Sequence, residues 1–251
     1  MLHEFSRTEM LIGKEALQKL YASKVAVFGI GGVGSFTVEA LVRSGVGKLV
    51  LVDDDNVCVT NINRQIHASH KTVGKPKVEI MRERILDINP RAEIEVYQEF
   101  YMPGQAEALL RPDYDYVIDA VDTVTAKIDL VVSCQQRGIP IISCMGTGNK
   151  LDPARFEVSD IYATSVCPLA KVMRKELRKR GVEALKVVYS KEEPLTPMVD
   201  NIIECNNIAI QSEVSVRMES GHRQIPGSIA FVPSAAGLLL AAEVVKDLIE
   251  L

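Results

Sequence analysis

The sequence has no two cysteines in Cys-x-x-Cys spacing, and its five, Cys58, Cys134, Cys144, Cys167 and Cys205, are odd in number. Neither a disulfide framework nor a paired-cysteine zinc site is indicated. Positive charge is not in excess: 29 lysines and arginines stand against 33 aspartates and glutamates, so binding to nucleic acid has to come from a local patch. No apolar run is long enough to span a membrane, and the opening "MLHEFSRTEM" is too polar for a secretory signal, which points to the cytosol. Internal repeats and low-complexity linkers are also lacking. The expectation is one compact domain over 1–251, with an N-terminal helical arm (1–22), a core (23–150) and a C-terminal α/β elaboration (151–251).

Short β-rich runs are present at 25–30, 48–54, 92–97, 114–120 and 139–144, as a sheet covered on both faces requires. Helices fit between them. In "KPKVEIMRERILDIN" (75–89), Val78, Met81, Ile85 and Ile88 share one stripe, and Asn89-Pro90 stops it. This alternation predicts an α/β fold built on a doubly wound, Rossmann-like, mainly parallel sheet, with its ligand at the carboxyl ends of the strands. Beyond about residue 150 the pattern changes. There "ALKVVYS" and "GSIAFV" read as separate strands, and 234–251 as a closing helix.

The strand at 25–30 runs into Gly29-Ile30-Gly31-Gly32-Val33-Gly34 and then into helical spacing. Strand, glycine turn and helix start aim free backbone N–H groups at an anion. Gly29, Gly31, Gly32 and Gly34 are therefore candidate phosphate-contact positions, without saying which nucleotide. Asp53 ends the second strand where an acidic side chain accepts ribose hydroxyls. Asp54 and Asp55 read as solvated loop carboxylates, with Asp55 kept beside Asp53 among the nucleotide-facing candidates. Asn61, Arg64, Gln65 and Lys77 follow as a donor-rich set. A nicotinamide slot has no use for such cations, whereas a triphosphate losing pyrophosphate does. The other common ATP loop, G-x-x-x-x-G-K-[ST], is absent, since Gly47-Lys48 is followed by Leu49.

"GIGGVGS", "LVDDDNVCVTNINRQIHA", "VGKPKVE" and "VIDAVDT", in this order and spacing, resemble the ubiquitin-activating-like ATP-dependent adenylating superfamily, the MoeB, ThiF and HesA group. The resemblance implies that Asp53 binds ribose, that Asn61, Arg64 and Lys77 hold phosphates, and that Asp122 carries magnesium. It implies that Arg7, in "FSRTEML", enters the neighbouring subunit's active site in a homodimer. The implied cofactors are ATP and Mg2+, and the implied reaction is carboxylate adenylation. The segments "FSRTEMLIGKEAL", "SCMGTGNKLDP", "CPLAKVMRKELRKRG", "VYSKEEP" and "PGSIAFVPSAAGL" further resemble the tRNA threonylcarbamoyladenosine dehydratase branch. One departure is Cys167-Pro168-Leu169-Ala170, where that branch is expected to carry "DPLA". The runner-up within the superfamily activates the C-terminal carboxylate of a small sulfur-carrier or ubiquitin-like protein, with a sulfur-transfer or cysteine desulfurase system as partner. Outside it stand an NAD(P) oxidoreductase and a nucleotide-sensing module.

The dehydratase resemblance implies that the activated threonyl carboxylate is closed into a ring by a group of the same substrate, which needs no thioester carrier, so Cys167, beside an expected helix start, reads as a small residue at a loop-helix junction. Cys58, Cys134 and Cys144 read as packing. His67 and His70 lack a third ligand for a metal. The local basic patch lies in "KVMRKELRKRG" (171–181), where Lys171, Arg174, Lys175 and Arg178 share one helical face. It is either a solvated face or a seat for tRNA phosphates, and the resemblance favours the seat.

Overall fold

Val25, Val27, Leu49 and Leu51 line one side of a sheet and Ala26, Phe28, Val50 and Val52 the other, so alternate residues of β1 (Lys24–Phe28) and β2 (Lys48–Val52) feed two separate cores. This two-sided burial is why both strands read as continuous apolar runs. In the computed structural model, which describes residues 2–197 and 226–251, the sheet continues with β3 (Glu93–Tyr97), β4 (Tyr116–Asp119), β5 (Ile141–Cys144), β6 (Phe156–Asp160) and β7 (Lys186–Ser190). The spatial order is β3-β2-β1-β4-β5-β7-β6. All neighbours pair in parallel except β6, which runs antiparallel to β7. The expected Rossmann-like, mainly parallel sheet is therefore present. Cys205 lies outside the described residues.

The helices are α1 (Ser6–Ile12), α2 (Lys14–Ala22), α3 (Gly34–Ser44), α4 (Lys77–Ile88), α5 (Ala106–Leu109), α6 (Val124–Arg137), α7 (Pro168–Arg178) and α8 (Phe231–Ile249). Val38, Leu41 and Val42 of α3, Val78, Met81 and Ile85 of α4, and Val232, Ala236, Leu240 and Val244 of α8 cover one face. Leu130, Val131 and Cys134 of α6 with Ala170, Met173 and Leu177 of α7 cover the other. Each buried Leu, Ile or Val contributes about 1.5–3 kcal/mol relative to exposure. Helices α3 and α6 stop at left-handed glycines, Gly45 and Gly138. Among the described residues, no helix is long and apolar enough to cross a membrane.

The expected strand "GSIAFV" is corrected. Residues 226–229 run as irregular chain and Phe231 already begins α8. The run is bonded to the loop after β5, and β5 is already paired on both sides, with β4 and β7. Pro233 lies in the first turn of α8, where its missing N–H has no helical partner to lose. The strand in "ALKVVYS" is β7, and β6 adds an edge strand that the sequence pattern does not announce.

Strand order reverses at β1, which has β2 on one side and β4 on the other. A doubly wound sheet opens its crevice at such a point, outside the carboxyl ends of the strands. The N-terminal arm packs at the opposite end: the side chains of Phe5 and Leu17 lie over Gly45, beyond the C-terminus of α3.

Candidate active site

Gly29 leaves β1 at φ 88°, and a Cβ there would stand 2.6 Å from the carbonyl oxygen of Ala120. Only glycine combines that backbone with so close an approach to the segment after β4. At Gly34 a Cβ would meet the Gly29 carbonyl oxygen at 1.8 Å, so the turn closes on itself and releases the chain directly into α3. No side chain caps the start of α3. The positive end of its dipole thus faces the crevice, although the Ser35 N–H of its first turn is already taken by the Gly31 carbonyl at 3.1 Å. Gly31 sits in this turn near Gln65, and Gly32 packs between Pro233 and the side chain of Arg64.

Asp53 follows β2. Its Oδ2 accepts the N–H of Ile30 at 2.6 Å and its Oδ1 accepts the N–H of Asp55 at 3.0 Å. Burial pushes the Asp53 carboxyl up, opposed by Lys77 and by the Ile30 N–H. Lys77 opens α4 and is buried, with Nζ 2.5 Å from Asp55 Oδ2 and 3.6 Å from Asp53 Oδ1. Asp55 is therefore placed as the ion-pair partner of Lys77, its own side chain half exposed. Asn61 is buried, and its Oδ1 takes the N–H of Cys58, closing the short turn Val59–Asn61. Arg64 leaves that turn with Nη1 donating to the Thr60 carbonyl at 2.7 Å and to Asn63 Oδ1 at 3.0 Å. Asp122 follows β4 as an exposed carboxylate that accepts the hydroxyl of Thr123. The glycine turn, Asp53, Lys77, Arg64 and Asp122 thus belong to the loops that leave β1, β2 and β4 at their carboxyl ends.

A strap from the C-terminal part adds to this edge. Gly227 and Asn149 exchange two hydrogen bonds, Gly227 N–H to Asn149 Oδ1 at 2.6 Å and Asn149 N–H to the Gly227 carbonyl at 2.8 Å. Asn63 Nδ2 donates to the Ser228 carbonyl at 2.9 Å. Residues 226–233 therefore tie the loop after β5 to the Arg64 loop and the glycine turn.

Sequence reasoning misses Asp119 and Lys127, a wholly buried pair with Nζ to Oδ1 at 3.0 Å, and Ser143, whose hydroxyl donates to Asp119 Oδ2 at 2.7 Å. A signal is nonetheless there: Lys127 shares its helical stripe with Leu130, Val131 and Cys134, and a lone lysine among core positions requires a partner.

Arg7 lies exposed on α1, two residues after Phe5, whose ring lies over Gly45 at the far end of α3. An 11-residue helix is about 16 Å long, so the chain's own Arg7 is well removed from its glycine turn. Lys171, Arg174, Lys175, Arg178 and Lys179 line one shallow concavity on α7. Arg174 is tied to Thr164, and the Arg178 guanidinium lies 5.1 Å from the ring centre of Tyr162. Lys171 and Lys175 are exposed. Cys167 is buried at the start of α7, and Cys58, Cys134 and Cys144 are free thiols.

The residues fit ATP. An uncapped helix start could meet phosphate, Arg64 and Lys77 could supply cations, and Asp53 could supply an acceptor at the ribose position. Among the described residues, no group of three or more His, Cys, Asp or Glu is placed to hold a metal by itself. A magnesium ion here fits only as one shared between the phosphates and one or two carboxylates, with Asp122 the exposed candidate.

A match to the ThiF family spans residues 5–251. The chain belongs to the ThiF family. It is 48% identical over 251 residues to the tRNA threonylcarbamoyladenosine dehydratase of Bacillus subtilis (strain 168), covering 100% of this chain and 96% of that protein. Among solved structures, the Escherichia coli tRNA N6-threonylcarbamoyladenosine dehydratase in complex with AMP superposes with a TM-score of 0.85 at 32% identity, covering 98% of this chain and 94% of that one. The complex of the same enzyme with ATP superposes with a TM-score of 0.84 at the same identity and coverage. This ThiF-family chain is thus similar to dehydratases beyond the nucleotide core, through α7, β7 and α8.

Proposed function

We propose that the chain is an ATP-dependent tRNA threonylcarbamoyladenosine dehydratase that adenylates the threonyl carboxylate of the modified adenosine and closes it into a ring. The observation that carries this reading is the 48% identity to a dehydratase over the full chain. The nucleotide site supplies the first half of the chemistry. A carboxylate oxygen attacks the α-phosphorus of ATP and pyrophosphate leaves. The urea-like group of the same substrate then attacks the acyl carbon, and AMP departs with the carboxylate oxygen, so the substrate has lost one water.

Each residue has a role in that scheme. The glycine turn Gly29, Gly31, Gly32 and Gly34 and the start of α3 cradle phosphate, and Asp53 accepts the ribose hydroxyls. Asn61 shapes the loop that carries Arg64. Arg64 and Lys77 stabilise the charge that grows on the departing pyrophosphate, Lys77 exchanging Asp55 for the nucleotide. Asp122 would be the carboxylate that holds Mg2+, which would neutralise phosphate charge when bound. Arg7 acts on the site of a second subunit in a homodimer, because its own site is too far away. The basic face of α7 binds tRNA phosphates, which gives affinity without sequence choice. The reaction is assigned to the cytosol as part of this proposal.

Pyrophosphate release, followed with ATP and magnesium, tests this. It is expected with tRNA that carries threonylcarbamoyladenosine and absent with unmodified tRNA. Release driven instead by a small protein's C-terminal carboxylate would overturn the dehydratase reading in favour of sulfur-carrier activation.

A further inference from the structure

Lys127 and Asp119 are both fully buried, with no exposed side-chain surface on either. Taking an ion pair out of water is costly, and apolar residues of the same size would fill the space at least as well. What an apolar pair could not do is bind the backbone of Val121. Asp119 Oδ1 accepts the Val121 N–H at 3.2 Å, and Lys127 Nζ donates to the Val121 carbonyl oxygen at 3.1 Å. The two charges therefore grip both polar groups of the residue immediately before Asp122. Ser143, on β5, holds the other carboxylate oxygen of Asp119 and fixes the acid against the neighbouring strand.

The same stretch is the floor of the glycine turn. Gly29 stands so close to Ala120 that a Cβ would meet the Ala120 carbonyl oxygen at 2.6 Å and the Val121 nitrogen at 2.9 Å. Ala120 N–H is in turn bonded to the Phe28 carbonyl at 2.8 Å. A displacement of Val121 would thus be felt on both sides of the crevice, by the glycine turn and by Asp122.

We propose that Asp119 and Lys127 are positioning residues: as a buried clamp on the Val121 peptide, they hold the Asp122 carboxylate in register with the glycine turn. The proposal rests on the reading of Asp122 as the carboxylate that faces the nucleotide's magnesium. The clamp touches neither substrate nor metal. It acts through one peptide unit, as the outer partners of metal ligands do elsewhere.

The test uses the full chain and reads thermal stabilisation by ATP over a series of MgCl2 concentrations. The double variant Asp119→Asn/Lys127→Met removes both charges together and leaves no unpaired buried ion. It is expected to raise the Mg2+ concentration for half-maximal stabilisation by about tenfold or more. Asp122→Asn alone is expected to raise it as well. Adding the double change to Asp122→Asn should then raise it little further, because a clamp that works through Asp122 has nothing left to position. A merely structural pair would lower the melting temperature and leave the Mg2+ dependence in place, or would multiply its loss onto that of Asp122→Asn; either result overturns the proposal. If Asp122→Asn leaves the Mg2+ dependence as in the parent while the double variant shifts it, the Asp122 reading fails and takes the proposal with it. Should the double variant not fold, Ser143→Ala removes one hydrogen bond from Asp119, and a rise of about threefold is expected. No rise in that variant would equally overturn the clamp.

Discussion

Asp53 Oδ2 accepts the backbone N–H of Ile30 at 2.6 Å, so the residue that ends one strand holds the turn that leaves its neighbour. The carboxylate at the proposed ribose position therefore also sets the shape of the phosphate cradle. Asp53→Asn keeps the side-chain outline and removes the charge behind both interactions. Losing a hydrogen bond to a charged group costs about 1.5–3 kcal/mol, or roughly tenfold to a hundredfold in ATP affinity. Calorimetric titration with ATP checks this, and an unchanged Kd would remove Asp53 from the nucleotide site.

Arg7 is expected to act between subunits. Arg7→Ala and Asp122→Asn chains, each inactive alone, should recover activity when mixed, because some heterodimers carry one complete site. Subunit exchange is confirmed first with differently tagged chains. No recovery after confirmed exchange would mean that Arg7 does not serve a neighbouring site.

On α7 the structure separates two kinds of cation. Arg174 and Arg178 are engaged within the chain, with Thr164 and with the ring of Tyr162. Lys171 and Lys175 are exposed, so replacing both with Gln should weaken tRNA binding without disturbing the helix. The slope of log affinity against log salt should fall in magnitude by about 0.7–0.9 for each phosphate that is no longer neutralised. ATP affinity should stay as it was. A filter-binding series with an unchanged salt slope would leave this face merely solvated.

His67 is buried beside Lys77 and Arg84, and burial first, then these two cations, push its imidazole down to about 4. Neither ring nitrogen has a hydrogen-bond partner among the described residues. A histidine held below its ordinary value contributes stability that is present above about pH 6.5 and is lost as pH falls toward 4, because the unfolded chain takes up the proton first. Between pH 7 and pH 5 this loss amounts to about 2 kcal/mol. Urea unfolding at the two pH values should show a drop in the parent that exceeds that of His67→Asn by this amount. Equal drops would mean that His67 is not held neutral by its surroundings.

The sequence by itself determined the parts of the candidate site that are local in the chain. Glycines directly after an apolar strand, an acid ending the next strand, Arg64 and Lys77 in the following loop and helix, and Asp122 just past the fourth strand are all readable, because a strand-turn-helix unit fixes where such residues must lie. Alternation of strand and helix likewise determined the parallel sheet. Only the tertiary structure decided what depends on meetings between distant segments. The run "GSIAFV" has the composition of a strand, yet β5, whose following loop it is bonded to, is already paired on both sides, so it becomes a strap bonded to Asn63 and Asn149 and then the start of α8. Asp55 reads as a solvated carboxylate until the fold brings Lys77, 22 residues later, within 2.5 Å. The burial of Lys127 against Asp119 and the link from Asp119 to Ser143 depend on how α6, β4 and β5 pack together. Local patterns are set by backbone geometry over a few residues; a buried charge is tolerated only where packing supplies its partner.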